Sequence, residues 1–450
     1  MRHMWIASVL CAVSAPPPVW AQATGAARPN VVLIITDDLG YGDLGIHGAP
    51  DIRTPNVDAL ARAGVRFTDF YANAPLCTPT RAALISGRYQ QRVRLEEALS
   101  SATTPSAEVG LPASGGSLPE LLKQSGYTTG LIGKWHLGYK PEYSPQAHGF
   151  DYFFGNKSGY VDYYQHTGGD GRPDLFENGN PVTASGYMTD LITERSVTFV
   201  QRNAKRPFFL EVAYGAPHWP YQPPDKPSKA VRNAAHLTAL DGETSTRADY
   251  VTMVERADRG IGRILRTLEL EGLARNTLVI FTNDNGGEWL SRNAPFFHRK
   301  WTLWEGGIRV PAIMRWPGHI PAGRVSSQVG ITMDLTASIL AAAGATVPAA
   351  ARHEGHNLLP LVSGRARPLE RTLFWRTSAG GYRQRAVRSG DWKLLLDAGS
   401  GVMLFNVRSD LGERHDVAAR HTSVVRRLAA QLAAWEKDVD EEAKRMPPPR

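Results

Sequence analysis

Val31-Val32-Leu33-Ile34-Ile35-Thr36-Asp37-Asp38-Leu39-Gly40-Tyr41-Gly42 is the stretch that decides the fold. Five consecutive apolar residues, four of them β-branched, suit a parallel strand buried on both faces. The run then stops at two aspartates. Working outward, the same order recurs: helix, short apolar strand, polar cluster. Thr54-Pro55 is expected to cap a helix over 56–63, with Gly64 closing it. A strand over 65–71 then delivers the chain to Cys77. Ser117-Leu118-Pro119-Glu120 reads as a capping box opening a helix through Gln124. A strand over 127–132 follows and leads to Lys134 and His136. A helix over 188–203 precedes a strand over 208–214 and His218, and a long helix over 249–270 precedes a strand over 277–281. That last strand ends in Asn283-Asp284-Asn285. Ligands of open parallel sheets bind beyond the carboxyl ends of the strands. Capping, surface exposure or a satisfied histidine explains each cluster separately, but not their shared edge.

Cys77-Thr78-Pro79-Thr80-Arg81-Ala82-Ala83-Leu84-Ile85-Ser86-Gly87-Arg88 reads as a turn feeding a helix, with Pro79 suited to the first helical position. Cys77 thus falls at a helix N-terminus, whose unpaired N–H groups and positive dipole end suit an oxyanion. The sequence has two cysteines, and Cys11 lies in an expected export signal over 1–23. That signal has a short basic start, an apolar core too short to span a bilayer, and small-residue cleavage sites near Ala23. Removing it leaves Cys77 without a disulfide partner, a liability in an oxidising compartment unless the thiol is buried or used. Asp37, Asp38, Asp284 and Asn285 offer only hard oxygen ligands, which suit Ca²⁺ or Mg²⁺ better than Zn²⁺.

Cys-x-Pro-x-Arg followed by Ala-Ala-Leu-Ile-Ser-Gly-Arg resembles the signature of the type I sulfatases of the alkaline-phosphatase superfamily. Gly126-Tyr127-Thr128-Thr129-Gly130-Leu131-Ile132-Gly133-Lys134-Trp135-His136 resembles their second signature. Thr36-Asp37-Asp38, Asn283-Asp284-Asn285-Gly286 and Lys300 before Trp304-Glu305-Gly306-Gly307 are similar to further family blocks. Thr80 departs from the pattern, standing where many members have Ser. The resemblance implies that a formylglycine-generating enzyme converts Cys77 to Cα-formylglycine, whose hydrate is the nucleophile. It implies one calcium ion held by Asp37, Asp38, Asp284 and Asn285 together with residue 77 and a sulfate oxygen. Residue 77 would attack sulfur with help from Asp284, and His136 would take the proton that drives collapse of the hydrate. Arg81 and Lys134 would hold the hydrate and the sulfate charge, and His218 and Lys300 the departing alkoxide. Ser158 matches a further polar contact of the family.

The resemblance implies an α/β fold with a large, mostly parallel sheet flanked by helices and a smaller C-terminal antiparallel sheet. The local pattern agrees. Past residue 365 it turns to short strands over 372–376, 385–388, 392–396 and 403–406, with a helix over 424–439. The expected division is a signal peptide over 1–23, a catalytic unit over 28–364 and a C-terminal unit over 365–445. Between 139 and 186 the sequence is irregular and aromatic, with a hairpin turn at Asn178-Gly179. Most of those aromatics are expected to pack on their own domain, and some to wall a cleft. The formal charge of +8 is spread without a basic block, so no nucleic-acid partner is expected, and no stretch after the signal is apolar enough for membrane insertion.

These features predict a periplasmic or secreted, calcium-dependent hydrolase of sulfate esters, acting on a sulfated small molecule or saccharide. Export, the aromatic insertion and a likeness to the N-acetylgalactosamine-6-sulfatase-like branch lean towards sugars. Two other readings stay open: a phosphodiesterase or phosphonate monoester hydrolase of the same superfamily, and a non-catalytic binder of sulfated polysaccharide.

Overall fold

The computed structural model of the protein describes residues 28–100, 108–226 and 245–445. The expected export signal and Cys11 lie outside them. Strand β1 (Asn30–Thr36) sits at the centre of a ten-stranded sheet. The other nine are β2 (Val65–Phe67), β4 (Thr128–Gly133), β5 (Tyr152–Gly155), β6 (Phe176–Glu177), β7 (Asn180–Pro181), β8 (Phe208–Ala213), β9 (Thr277–Asn283), β10 (Ala312–Arg315) and β11 (Arg324–Ser326), in the order β11-β2-β10-β9-β1-β8-β4-β5-β6-β7. The central run β9-β1-β8-β4-β5 is parallel throughout.

Alternate residues of β1 feed two cores. Val31, Leu33 and Ile35 meet the helices Cys77–Ser86, Leu118–Gln124 and Thr332–Ala343 on one face. Val32 and Ile34 meet the helices Pro55–Arg62, Met188–Arg202 and Arg247–Leu270 on the other. None of the five is more than 2% exposed. At about 1.5–3 kcal/mol per buried aliphatic side chain, this strand alone contributes on the order of 10 kcal/mol. No described helix is long and apolar enough to cross a membrane.

Several local expectations change. The strand over 65–71 breaks in two: β2 stays in the main sheet, while β3 (Phe70–Tyr71) pairs with β12 (Gly330–Ile331) in a separate ribbon. β10 runs antiparallel to both β9 and β2. Only the four-residue helix Glu305–Ile308 lies between β9 and β10, so no crossover carries the chain to the far end of the sheet. The loop bearing Asp284, Asn285 and Lys300 therefore stays at the edge where β9 ends. Thr54 and Ser117 precede helices but do not cap them with their side chains. Thr54 Oγ1 donates to Asp58 and Ser117 Oγ donates to the His148 carbonyl, 2.8 Å away. Gly64 closes its helix without a left-handed turn; its need is space, since a Cβ would fall 2.2 Å from the Met314 carbonyl oxygen of β10. Asn178 and Gly179 have φ of 49° and 86°, the paired positive values of a tight hairpin turn between β6 and β7.

The C-terminal part is a four-stranded antiparallel sheet of β13 (Thr372–Thr377), β14 (Gln384–Ser389), β15 (Trp392–Asp397) and β16 (Gly401–Asn406). The helix Thr422–Ala443 packs on it through Leu428, Leu432 and Val439. Their core is continuous with Tyr71, Leu303, Ile308 and Met333 of the larger part. The small sheet is thereby fastened beside the loop that carries Lys300.

Candidate active site

β1 and β9 run in register, with Thr36 opposite Asn283, so Asp37-Asp38 and Asp284-Asn285 leave adjacent strands at one level. Asn283 ties the two exits together. Its Oδ1 accepts from Thr36 Oγ1 (2.8 Å) and Leu39 N (3.2 Å), and its Nδ2 donates to Leu39 O (3.0 Å). Asp38 has φ of 60° and His136 has φ of 56°. Left-handed backbone at residues other than glycine costs about 1–3 kcal/mol each and gathers at functional sites.

Cys77 is the first residue of its helix, and all ten residues of that helix are buried. Pro79 takes the third position rather than the first, which its missing N–H permits because the first four N–H groups of a helix lack intrahelical partners. Thr80 uses its hydroxyl to bind Ala74 N and Ala74 O, both at 3.0 Å, a task a serine hydroxyl could equally perform. The Cys77 sulfur and carboxylate oxygens of Asp37 and Asp284 all lie within 4.8 Å of one another.

Cations surround this group. Arg81, one turn on, donates through Nε and Nη2 to Asp284 Oδ2 at 3.2 and 2.9 Å, through Nη2 to Asp37 Oδ2 at 3.4 Å, and through Nη1 to the Lys134 carbonyl at 3.1 Å. Lys134 Nζ donates to Asp37 Oδ2. Lys300 Nζ donates to Asp38 Oδ2 at 2.7 Å and lies 3.3 Å from His218 Nε2.

Backbone carbonyls settle both histidine tautomers. His136 Nε2–H donates to Leu99 O (2.7 Å), so its Nδ1 is left as the acceptor, and that buried nitrogen has no partner. His218 Nδ1–H donates to Trp219 O (2.5 Å), leaving Nε2 to accept from Lys300. Burial, then Lys134, holds His136 well below the usual histidine range; burial, then Lys300, does the same to His218. Both rings are therefore neutral proton acceptors. Burial raises the Cys77 thiol as well. Burial alone would lower Lys300, but Asp38 and Glu288 beside it hold the ammonium well above its ordinary value.

Three oxygens in this cluster are buried without a hydrogen-bond partner: Asp37 Oδ1, Asp284 Oδ1 and Asn285 Oδ1. Buried polar atoms are nearly always paired, so three exceptions gathered here are oxygens that could hold a cation. Burial pushes the Asp38 carboxyl up to about 8 against the pull of Lys300. Burial and the Asp284 charge push Asp37 up to about 6. A divalent ion would offset that desolvation, and an oxygen donor set fits a hard one. Asp38 differs from its neighbours, because Asn285 Nδ2 and Lys300 already occupy both of its oxygens.

Of the residues singled out from the sequence, Asp37, Asp38, Cys77, Arg81, Lys134, Asp284 and Asn285 form one contact network, with Lys300 and His218 joined to it through Asp38. His136 stands beside it through Thr78, whose hydroxyl donates to the His136 carbonyl. Ser158 is turned elsewhere: its hydroxyl donates to Tyr160 O and its N–H to Asp174, both within its own loop. Among the insertion aromatics, Phe153, Phe154 and Tyr163 are core residues, whereas Tyr160 stacks on His218 at 5.9 Å and meets Trp219 tilted at 4.1 Å. Sequence reasoning quoted Asn283 without reading its tying role, and missed the Leu99 and Trp219 carbonyls and Glu288 with Trp301. Of those missed, Glu288 carried a signal, an acid two glycines beyond Asn285.

One edge of the α/β sheet thus gathers a buried cysteine at a helix start, oxygen donors that could hold a hard cation, and neutral histidines beside cationic side chains. The sulfatase family model matches residues 29–345, and a model of the C-terminal part of N-sulphoglucosamine sulphohydrolase matches 293–438. The chain is 38% identical to human N-acetylgalactosamine-6-sulfatase over 380 residues, covering 78% of this chain and 69% of that one. Mouse arylsulfatase J is 29% identical over 93% of this chain and 77% of its own. The crystal structure of Ps i-CgsB in complex with k-i-k-neocarrahexaose superposes with a TM-score of 0.81 at 32% identity, covering 91% and 92% of the two chains. The protein belongs to the sulfatase family and is a sulfuric ester hydrolase.

Proposed function

We propose that the protein is an exported sulfatase that removes sulfate from saccharides, using a formylglycine made from Cys77 and one Ca²⁺, with Mg²⁺ as the substitute ion. The observation that carries this reading is the Cys77 sulfur lying within 4.8 Å of Asp37 and Asp284 oxygens, with Arg81 and Lys134 close by. Asp37, Asp38, Asp284 and Asn285 would hold the cation, which supplies positive charge for the sulfate oxygens. The hydrate of residue 77 attacks sulfur with Asp284 helping to activate its hydroxyl. Arg81 and Lys134 steady the sulfate charge, and Lys300 with His218 meets the departing alkoxide. His136 Nδ1, the unpartnered acceptor, takes the proton of the second hydroxyl. The C–O bond to sulfate then breaks and the aldehyde returns. A serine ester could not be cleared in this way, which is the advantage of a geminal diol.

The saccharide reading is supported by the names of the relatives above and by Tyr160 and Trp219, which offer aromatic faces beside His218. Residues 1–23 support export to the periplasm or the medium, with a formylglycine-generating enzyme as maturation partner. The catalytic unit we propose spans 28–364 and the C-terminal unit 365–445. The test combines peptide mass at residue 77 with release of free sulfate from defined sulfated saccharides and 4-nitrophenyl sulfate, and release of 4-nitrophenolate from bis(4-nitrophenyl) phosphate. Formylglycine and saccharide desulfation are expected. Faster cleavage of the phosphodiester would move the protein to the phosphodiesterases, and no turnover of any ester by formylglycine-bearing protein would leave a binder.

A further inference from the structure

Trp301 is a residue that the reaction above does not use, yet it is held in an unfavourable conformation. Its φ is 79°, and His298 nearby has φ of 67°; a bulky non-glycine residue there is a genuine outlier. Such strain persists only where the surroundings over-determine it, and the contacts of Trp301 do so. Its backbone N–H donates to Pro75 O at 3.0 Å, two residues before Cys77. Its indole Nε1–H donates to Glu288 Oε1 at 2.6 Å. Gly380, in the turn between β13 and β14, packs on the ring so closely that a Cβ there would come to 3.1 Å.

Glu288 is 5% exposed. With one oxygen fixed by the indole, its other oxygen, Oε2, accepts no hydrogen bond and lies 3.6 Å from Lys300 Nζ. The Lys300 ammonium is thus framed by Asp38 Oδ2, His218 Nε2 and Glu288 Oε2. A lysine head group on a four-carbon stem has no preferred direction of its own, so its place is set by what surrounds it.

We propose that Glu288 and Trp301 are positioning residues that set where the Lys300 ammonium meets the leaving oxygen, with the C-terminal sheet buttressing the indole through Gly380. The inference rests on the sulfatase reading for the role of Lys300, but not for the contact itself. Losing Glu288 leaves Lys300 charged but free to lean towards Asp38. Losing the indole N–H lets the Glu288 carboxylate rotate away.

The test assays Glu288→Gln and Trp301→Phe over aryl sulfates of graded leaving-group acidity. A charged hydrogen bond misplaced only in the transition state is expected to lower kcat/KM roughly ten- to hundredfold for the poorest leaving group. The most activated ester should be nearly unaffected, KM should hold, and Glu288→Asp should recover part of the loss. A uniform loss across the series, or none, overturns the proposal. A second measurement does not depend on catalysis: a double-mutant cycle of Glu288→Gln and Lys300→Ala in unfolding free energy. Non-additive effects support the pairing, and additive effects overturn it. A parent protein inert towards every sulfate ester would remove the sulfatase reading while this cycle still decided the contact.

Discussion

Two of the buried charge clusters among the described residues, both built of carboxylates, lysines and arginines, are completed in opposite ways. At the junction with the small sheet, Lys393 is fully buried, 2.9 Å from Glu305 Oε1 and 2.8 Å from Glu413 Oε1. Glu305 Oε2 takes Tyr71 Oη at 2.6 Å and Arg309 Nη1 at 2.9 Å. Asp69 receives Arg388, Arg309 and Thr68. Against the upward push of burial, Lys393 and Arg309 hold Glu305 down to about 2. At the sheet edge, by contrast, Asp37, Asp284 and Asn285 each keep an oxygen without a partner, and burial drives the carboxyls at Asp37 and Asp38 up. The junction keeps one such oxygen too, Glu413 Oε1, and burial pushes that carboxyl up to about 7, but the oxygen faces the Lys393 ammonium at 2.8 Å; at the edge three such oxygens, from three residues, lie together. Charge and burial do not separate structure from function here. The gathering of several unpartnered oxygens at one place does.

The sharpest way to break that contrast is at residue 77. Cys77→Ser should keep the fold, since the swap is nearly isosteric, yet turnover should fall roughly 10⁴-fold or more, as when a nucleophile is lost. A serine attacks once and has no second hydroxyl for collapse, so peptide mass should show sulfated serine accumulating. Sustained turnover near the parent rate would remove the hydrate from the account. Next comes the ion. Asp284→Ala should abolish bound divalent metal in elemental analysis and activity with it, because it deletes an unpaired oxygen and frees Arg81. Full metal content and turnover in this variant would remove this cation site from the account.

At the junction the expected effect is on stability instead. Lys393→Met leaves Glu413 without its buried cation and Glu305 with Tyr71 and Arg309 alone, and should cost about 3–5 kcal/mol in denaturant unfolding, with kcat per folded molecule little changed. A variant as stable as the parent would mean that the junction charges do not depend on one another. The smallest effect concerns a buried group in neither cluster. Burial holds His148 down to about 4, and its Nε2–H donates to Leu111 O at 3.0 Å. Above pH 6.5 the ring is neutral in both folded and unfolded chains and nothing changes. As pH falls from 6.5 towards 4 the unfolded chain binds the proton first, so stability drops, by on the order of 3 kcal/mol at most. Thermal unfolding of His148→Asn should show a shallower decline between pH 7 and 5; an equal slope would place the acid sensitivity elsewhere.

Much of this was already written in the sequence. The apolar run of β1, the strand–helix alternation, the turn at Asn178-Gly179 and the helix start at Cys77 follow from local pattern, because burial on both faces and positive φ leave plain marks on residue choice. The polar clusters were legible because each sits just past a strand. Hydroxyl partners were not: Thr54 and Ser117 have the right identity for caps, but Thr54 Oγ1 accepts from Gly45 N and donates to Asp58, and Ser117 Oγ turns to the His148 carbonyl. The direction of β10, the break between β2 and β3, and the pairing of Lys393 with Glu305 and Glu413 depend on residues tens of positions apart. Tertiary structure alone also decided the histidine tautomers, through the carbonyls of Leu99 and Trp219, and the framing of Lys300 by Glu288 and Trp301. Residue type and spacing determine which groups reach an edge. Which oxygen remains without a partner is a property of contacts made across the whole fold, and only the assembled chain sets it.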